Sequence, residues 1–160
     1  MPPNSPPVWS RLRWVLLAIA LGGVLGACAR HALELAWPTP DGGLPWATFV
    51  TNASGCLLIG VLMVHVVEVG GAHPLLRPFV GVGVLGGFTT FSTYAVQAVL
   101  LADGHPARAA AYVVATPVVA LVAVTAGVVT ARASTRLARR LARRDDVPDT
   151  TPSDLAEDQR

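Results

Sequence analysis

The residues that could handle an ion are concentrated in one short stretch of an apolar sequence. From Pro78 to Ala102 the chain carries no charged side chain, yet its middle reads Gly86-Gly87-Phe88-Thr89-Thr90-Phe91-Ser92-Thr93. This is poor helix sequence, because glycine loosens the backbone and Ser and Thr offer it competing hydrogen bonds. In lipid, a broken helix is tolerated only where it is buried in protein or lines a polar cavity, and it frees carbonyls that can hold a cation. The stretch therefore predicts either a functional break where ions are handled or a glycine and hydroxyl face on which helices pack.

A second apolar run contains a single amide side chain. Asn52 lies within Thr48-Phe49-Val50-Thr51-Asn52-Ala53-Ser54-Gly55. An amide inside a membrane span needs hydrogen-bond partners, so it marks either a helix contact or a polar pathway. Thr48 lies four residues earlier and hence on the same face of a helix.

These polar residues belong to a chain that is too apolar for an ordinary soluble domain, since 52% of its 160 residues are hydrophobic and 14% are charged. Four stretches are long enough to span a bilayer, at about residues 14–35, 46–69, 75–102 and 107–131. We expect an all-α membrane protein with four transmembrane helices and a break in the third. Residues 1–12 are expected to form a disordered head, residues 13–131 the membrane domain, and residues 132–160 a short Arg-rich juxtamembrane helix with a disordered tail.

The distribution of the arginines predicts the orientation of the chain. With four spans, both termini lie on one side, which also holds Arg11, Arg13, Arg77 and six arginines from Arg132 to Arg144. The other side holds two arginines, Arg30 and Arg108. Because the cytoplasmic side of a membrane protein carries the excess of basic residues, nine arginines against two predict that the termini lie in the cytoplasm. Beside a membrane span, the arginine-rich segment favours anionic membrane lipid over nucleic acid as its partner.

The first span also has an alternative interpretation. Arg11 and Arg13, the apolar stretch after them and Leu25-Gly26-Ala27-Cys28 resemble a secretory signal with a lipoprotein cleavage box. Three further spans follow, so an exported soluble protein is not required to explain the pattern.

Three motifs occur in order along the spans. They are Gly22-Gly23-x-x-Gly26-Ala27-x-x-Arg30, Thr48-x-x-x-Asn52-x-x-Gly55 and the Gly86–Thr93 stretch. Together with the four spans they resemble the Fluc (CrcB) family of fluoride channels, over Arg11 to about Ala131. The resemblance implies small dual-topology channels of the cell membrane that work as antiparallel dimers and passively export fluoride, reducing its toxicity. It also implies a central structural Na⁺, which is not transported, and two fluoride pores.

The resemblance also assigns roles to individual residues. The carbonyls of Gly86 and Thr89 would bind the Na⁺. The charge of Arg30, independently of the resemblance, predicts either a vestibule where it raises the anion concentration or an anchor of the span at the interface. The pore would be lined by Asn52, Phe91, Tyr94 and Thr116. Ser92 and Thr93 are added to the predicted pore set because of their hydroxyls and not because of the resemblance. Tyr94 departs from the phenylalanine that the family usually has: its ring edge survives, but its hydroxyl adds a donor or narrows the pore.

The chemistry of these residue types fits a small, strongly hydrated anion. A fluoride pore must replace water with donors, and Asn52 offers N–H groups while Ser92, Thr93 and Thr116 offer hydroxyls. The edges of aromatic rings carry partial positive charge and can face an anion. No Arg or Lys lies in the middle of a span, which favours flux because conduction needs weak sites.

Other functions fit the sequence less well. A small multidrug-resistance-type, proton-coupled exporter needs an ionisable carboxylate deep in a span, whereas Glu34 and Glu68 sit at span ends. A membrane scaffold explains the glycines but not the clustered hydroxyls, the amide and the aromatic rings. An enzyme is not expected, since the sequence offers neither a nucleophile–base pair nor a metal-ligand cluster.

Overall fold

The structure, a computed structural model, describes residues 8–69 and 73–145, and this part of the chain is helical apart from short connections. Four helical segments are long and apolar enough to cross a membrane: Arg11–Ala36, Trp46–Glu68, Arg77–Ala102 and Pro106–Ala142. The prediction of an all-helical chain with four helices capable of spanning a membrane is confirmed for the described residues. Residues 1–7 of the predicted head and residues 146–160 of the predicted tail lie outside the described residues.

Five α-helices and two π-helical segments make up these spans. Helix α1 is Val8–Ala36, and α2 is Trp46–Met63 with a π-helical continuation at Val64–Val69. The third span consists of a π-helical segment, Arg77–Leu85, followed by α3 at Gly86–Phe88 and α4 at Ser92–Ala102. Helix α5 is Pro106–Asp145.

Both ends of the described chain extend the helices beyond the predicted spans. Helix α1 begins at Val8, inside the segment that we predict as the head. Helix α5 continues from the fourth span through Arg132 to Asp145 without interruption. The arginine-rich segment is helical as far as Asp145, and there it is the end of a 40-residue helix.

Glycines let α1 pack directly against the first half of the third span. A Cβ atom at Gly22 or Gly26 would overlap the backbone of Phe79 or Val84. On the facing helix, a Cβ at Gly83 would lie 2.8 Å from the carbonyl oxygen of Ile19. Gly22 and Gly26 are four residues apart in the sequence and so lie on one face of α1, where they allow this close helix contact.

A second close contact joins α2 to α5. A Cβ atom built at Gly60 would lie 3.1 Å from the backbone nitrogen of Val128, and one built at Gly127 would lie 3.2 Å from that of Val61. Because α4 also packs on α5, helices α2, α4 and α5 meet around the middle of the third span.

Candidate functional site

The third span is interrupted in the middle of its polar stretch. Helix α3 ends at Phe88, and α4 begins at Ser92. Between them Thr89 adopts an extended backbone conformation, with φ −76° and ψ 155°. The N–H of Thr89 still bonds to the carbonyl of Leu85 at 3.0 Å, and the carbonyl of Phe91 still accepts from the N–H of Ala95 at 2.9 Å. The backbone groups between these two bonds need partners other than those of a regular helix.

Asn52 supplies partners for one residue of this interruption. The backbone N–H of Thr90 donates to Asn52 Oδ1 at 2.8 Å, and Asn52 Nδ2 donates to the carbonyl oxygen of Thr90 at 2.9 Å. Both ends of the amide thus bond to the backbone of one residue, 38 positions along the chain. Of the two roles left open for Asn52, the helix contact is present, and one Nδ2 hydrogen remains for another acceptor.

The hydroxyl of Thr90 organises the start of α4. Thr90 Oγ1 accepts the backbone N–H of Thr93 at 3.2 Å and donates to Thr93 Oγ1 at 3.1 Å. Ser92 Oγ lies 3.3 Å from the same oxygen. The first of these bonds satisfies a backbone N–H in the first turn of α4, as an N-cap side chain does, from Thr90, one residue before the capping position Phe91. Sequence reasoning did not single out Thr90, although a hydroxyl residue three positions before a helical N–H is the usual N-cap signal.

These bonds release the two carbonyls that the resemblance assigns to Na⁺. In an unbroken helix, the Gly86 carbonyl would accept from the N–H of Thr90, and the Thr89 carbonyl would accept from the N–H of Thr93. The first N–H instead bonds to Asn52, and the second bonds to Thr90 Oγ1. Carbonyl oxygens suit a hard cation, so the residues present fit the predicted ion.

A cleft of about 510 Å³ opens beside the interruption. It is lined by residues of α2, the third span and α5. The cleft brings together six of the predicted site residues: Asn52, Gly86, Thr89, Phe91, Tyr94 and Thr116. The hydroxyls of Ser92 and Thr93 instead group around Thr90.

The two aromatic residues of the cleft are adjacent but differ in their surroundings. Their ring centroids are 5.7 Å apart with the planes inclined at 48°. The Phe91 side chain is 79% exposed in the single chain. Tyr94 is partly buried, its ring packs on Tyr112 at 5.2 Å, and its hydroxyl donates to the carbonyl oxygen of Val113 at 2.7 Å.

Thr116 is buried at the other wall of the cleft and is 6% exposed. Its Oγ1 donates to the carbonyl oxygen of Tyr112 at 2.8 Å, one turn earlier in the same helix. The hydroxyl hydrogen would have to turn away from this carbonyl to reach an anion.

Arg30 lies apart from the cleft, one helical turn beyond Gly26 in α1. Its Nη1 atom donates to Glu34 Oε1 at 2.9 Å, and 23% of its side chain is exposed. Its Nε atom is buried without a hydrogen-bond partner among the described residues.

Two further threonines of α2 were not predicted as site residues. Thr48 and Thr51 are fully buried, and neither Oγ1 has a hydrogen-bond partner within the described part of the chain. Thr48 belongs to the second-span motif, but nothing in the sequence indicates that its hydroxyl is left without a partner.

Comparison with known proteins places this arrangement in a family. The family model described as CrcB-like protein, Camphor Resistance (CrcB), matches residues 17–128. The chain belongs to the CrcB family.

Its relatives include fluoride-specific ion channel FluC 1 of Streptomyces coelicolor, which is 57% identical over 117 residues, or 72% of this chain and 76% of that protein. Fluoride-specific ion channel FluC 2 of Nocardia farcinica is 50% identical over 136 residues, or 84% of this chain and 92% of that protein. Fluoride-specific ion channel FluC 2 of Bacillus subtilis is 41% identical over 115 residues, or 72% and 86% of the two chains. These relatives are channels and not enzymes.

Replacing Asn52 with leucine should destabilise the protein, because the N–H and C=O groups of Thr90 would lose their side-chain partners. Leaving such groups unpaired costs about 1–3 kcal/mol. Unfolding of the purified protein by SDS in detergent micelles measures the change. Ser54→Ala is the matched control, since the Ser54 hydroxyl bonds only to carbonyls of its own helix. Equal SDS midpoints for Asn52→Leu and wild type would contradict the role assigned to the amide.

Proposed function

We propose that this chain forms a fluoride-specific channel that passively exports fluoride across the cell membrane and so reduces its toxicity. The observation that carries the proposal is the cleft at the interrupted third span, which is lined by an amide, two aromatic rings and hydroxyl groups. The names of relatives up to 57% identical support the choice of fluoride. The interruption is, in this proposal, the functional break that the sequence predicts.

Fluoride would exchange its water for weak donors in this cleft. The free N–H of Asn52, the ring edges of Phe91 and Tyr94 and the hydroxyl of Thr116 are the proposed contacts. None of the residues that line the cleft in the described structure is charged, which favours passage over trapping. Arg30 would draw anions toward a vestibule, with Glu34 offsetting part of its charge.

The proposal includes a structural Na⁺ that is bound and not transported. The carbonyl oxygens of Gly86 and Thr89 would hold it, since their usual helical donors bond elsewhere. When bound, the ion supplies a positive charge that balances the carbonyl dipoles at the interruption.

We further propose that two chains pair in antiparallel orientation around this ion. Two carbonyls leave most of the coordination shell of a hard cation unfilled, so a second copy would provide the remaining ligands. The 79% exposure of Phe91 and the open cleft are consistent with a surface that a partner covers. The partner is either a second copy of this chain or a related chain inserted the opposite way.

The alternative is a proton-coupled exporter of the small multidrug-resistance type. Its proton site would be a carboxylate deep in a span. The acidic residues of the four described spans are Glu34 and Glu68, both at span ends. Each is paired with an arginine, Glu34 with Arg30 at 2.9 Å and Glu68 with Arg132 at 2.7 Å, and neither is a carboxylate deep in a span. We therefore prefer the channel.

Phe91→Ala and Thr116→Val should each strongly reduce fluoride efflux from liposomes while leaving the protein folded. Each change removes a proposed anion contact from a path that has few substitutes. A fluoride-selective electrode measures the efflux. Val96→Ala is the matched control, because Val96 is an exposed residue of α4 outside the cleft. Wild-type efflux in both cleft variants would show that the assigned pore face is wrong.

Exhaustive replacement of Na⁺ by N-methylglucamine should lower the thermal stability of the purified protein and its fluoride efflux. A ligand that binds only the folded state contributes about 2.7 kcal/mol at a hundredfold excess over its Kd. Melting curves at constant ionic strength give the effect, with choline as the control for the replacement cation. Superimposable melting curves with and without Na⁺ would rule out the structural site.

The arginine-rich end of α5 should hold the termini in the cytoplasm. Arg132, Arg136, Arg139 and Arg140 are exposed on the helix that extends the fourth span. The Cβ atoms of a helix tilt toward its N-terminus, so these side chains reach back toward the lipid headgroups, and we propose that they bind anionic lipid there. Orientation would then be fixed by the nine-to-two arginine count, and a related chain of opposite orientation would be the better partner.

Labelling of a single cysteine placed at the C-terminus tests this orientation in intact cells that express this chain alone. We expect labelling only after the membrane is permeabilised. Replacing Arg136, Arg139 and Arg140 with glutamine should allow labelling from outside in part of the population. Substantial outside labelling of the chain with all its arginines would instead support dual insertion and a homodimer.

A further inference from the structure

The hydroxyl of Tyr94 bonds to a carbonyl that a proline leaves without its helical partner. Pro117 lies inside α5 and has no N–H group. In a regular helix the N–H of residue 117 would bond to the carbonyl of Val113, four positions earlier. The Oη–H group of Tyr94 donates to this same carbonyl oxygen at 2.7 Å.

This bond has particular value inside a membrane. A backbone carbonyl without a partner is costly in lipid, and a proline is tolerated in a span where a neighbouring helix satisfies the group that it frees. Here the hydroxyl of Tyr94 on α4 donates to the carbonyl that Pro117 leaves without a partner in α5. Tyr94, Pro117 and Thr116 all line the same cleft, so the repair lies at the candidate ion path.

A second link between the same helices holds the Tyr94 ring in place. The ring packs on Tyr112 with centroids 5.2 Å apart, and the Tyr112 hydroxyl donates to Gln97 Oε1 of α4 at 3.2 Å. The Tyr94 ring is therefore held at its hydroxyl and by the Tyr112 ring, and the exposed ring of Phe91 lies beside it.

We propose that Tyr94 is a positioning residue, whose hydroxyl replaces the N–H that Pro117 lacks and thereby fixes its own ring edge in the cleft. The hydroxyl is committed to Val113 and is neither an additional donor for the anion nor an obstruction of the pore. The tyrosine, which stands where the resemblance predicts phenylalanine, is thus coupled to the proline of the next helix. The effect on ion flow rests on the proposed function, whereas the hydrogen bond and its coupling to Pro117 do not.

A double-mutant cycle of Tyr94→Phe and Pro117→Ala tests the coupling. We expect Tyr94→Phe to shift the SDS-unfolding equilibrium by about threefold toward the unfolded state, the average effect of an interhelical hydrogen bond. In the Pro117→Ala background the shift should vanish, because the new N–H at position 117 supplies the Val113 carbonyl. Tyr112→Phe is the matched control, since its hydroxyl bonds to a side chain and its cost should be the same in both backgrounds. An equal cost of Tyr94→Phe in both backgrounds would overturn the proposal.

A spectroscopic measurement does not depend on the proline variant. The chain has two tyrosines, so Tyr112→Phe leaves Tyr94 as its single tyrosine. The tyrosine Raman doublet of that variant should report a hydroxyl that donates a strong hydrogen bond. A doublet typical of a hydroxyl that does not donate would contradict the bond to Val113.

Fluoride efflux per folded protein separates positioning from structure alone. Tyr94→Phe should conduct, but more slowly than wild type, because its ring is free to turn. An unchanged efflux rate in Tyr94→Phe would show that the bond to Val113 is purely structural. Complete loss of efflux would show that the hydroxyl itself lies on the ion path. Either result overturns the positioning role. If wild-type protein itself conducts no fluoride, the proposed function fails, while the cycle and the Raman doublet still decide the hydrogen bond.

Discussion

Two hydrogen bonds between the Asn52 side chain and the backbone of Thr90 hold the centre of this structure together. They let the third span leave helical geometry, because the amide takes the place of the helical partners that the N–H and C=O groups of Thr90 lose. They also release the Gly86 carbonyl, because the N–H that would normally reach it is taken by the amide. The same amide therefore stabilises the interruption and prepares one of the candidate ligands for a cation.

The close helix contacts are what allow this side chain to reach its partner. Asn52 is short, so α2 must approach the third span closely at the interruption. Gly55, one turn after Asn52, permits this, since a Cβ atom there would run into the side chain of Thr89. On the far side, Gly26 admits the backbone of Phe88 against α1. Small residues on either side of the third span thus bring α2 close enough for the Asn52 side chain to bond to the backbone of Thr90.

The same exchange of partners recurs around the cleft. The hydroxyl of Thr90 replaces a carbonyl as the acceptor for the N–H of Thr93, and the hydroxyl of Tyr94 replaces an N–H as the donor to Val113. In each case a side chain takes the place of a backbone group that a regular helix would have used. Asn52, Thr90 and Tyr94 are therefore engaged with the protein backbone. Few strong donors remain in the cleft, which suits the conduction that we propose.

The sequence by itself determined the elements and the residue types. Apolar runs of bilayer length without charges specify four helices, since in lipid every backbone group must be satisfied within the segment. Glycines at four-residue spacing indicated the close contacts of Gly22, Gly26 and Gly83, because that spacing keeps small residues on one helix face. The polar stretch from Gly86 to Thr93 marked the candidate site, and the motifs identified the family.

Only the tertiary structure decided which partner each polar group has. Asn52 and Thr90 are 38 residues apart and Tyr94 and Val113 are 19 apart, so no local pattern relates them. Ser92 and Thr93 belong to the predicted pore set, yet their hydroxyls group around Thr90, since the extended backbone at Thr89 sets the direction in which α4 starts. The sequence also did not determine that α5 continues past Arg132, because a sequence pattern does not show whether the arginine-rich segment is joined to the fourth span in one helix. A hydrogen bond needs its two atoms within about 3 Å, and that distance is set by how the helices pack.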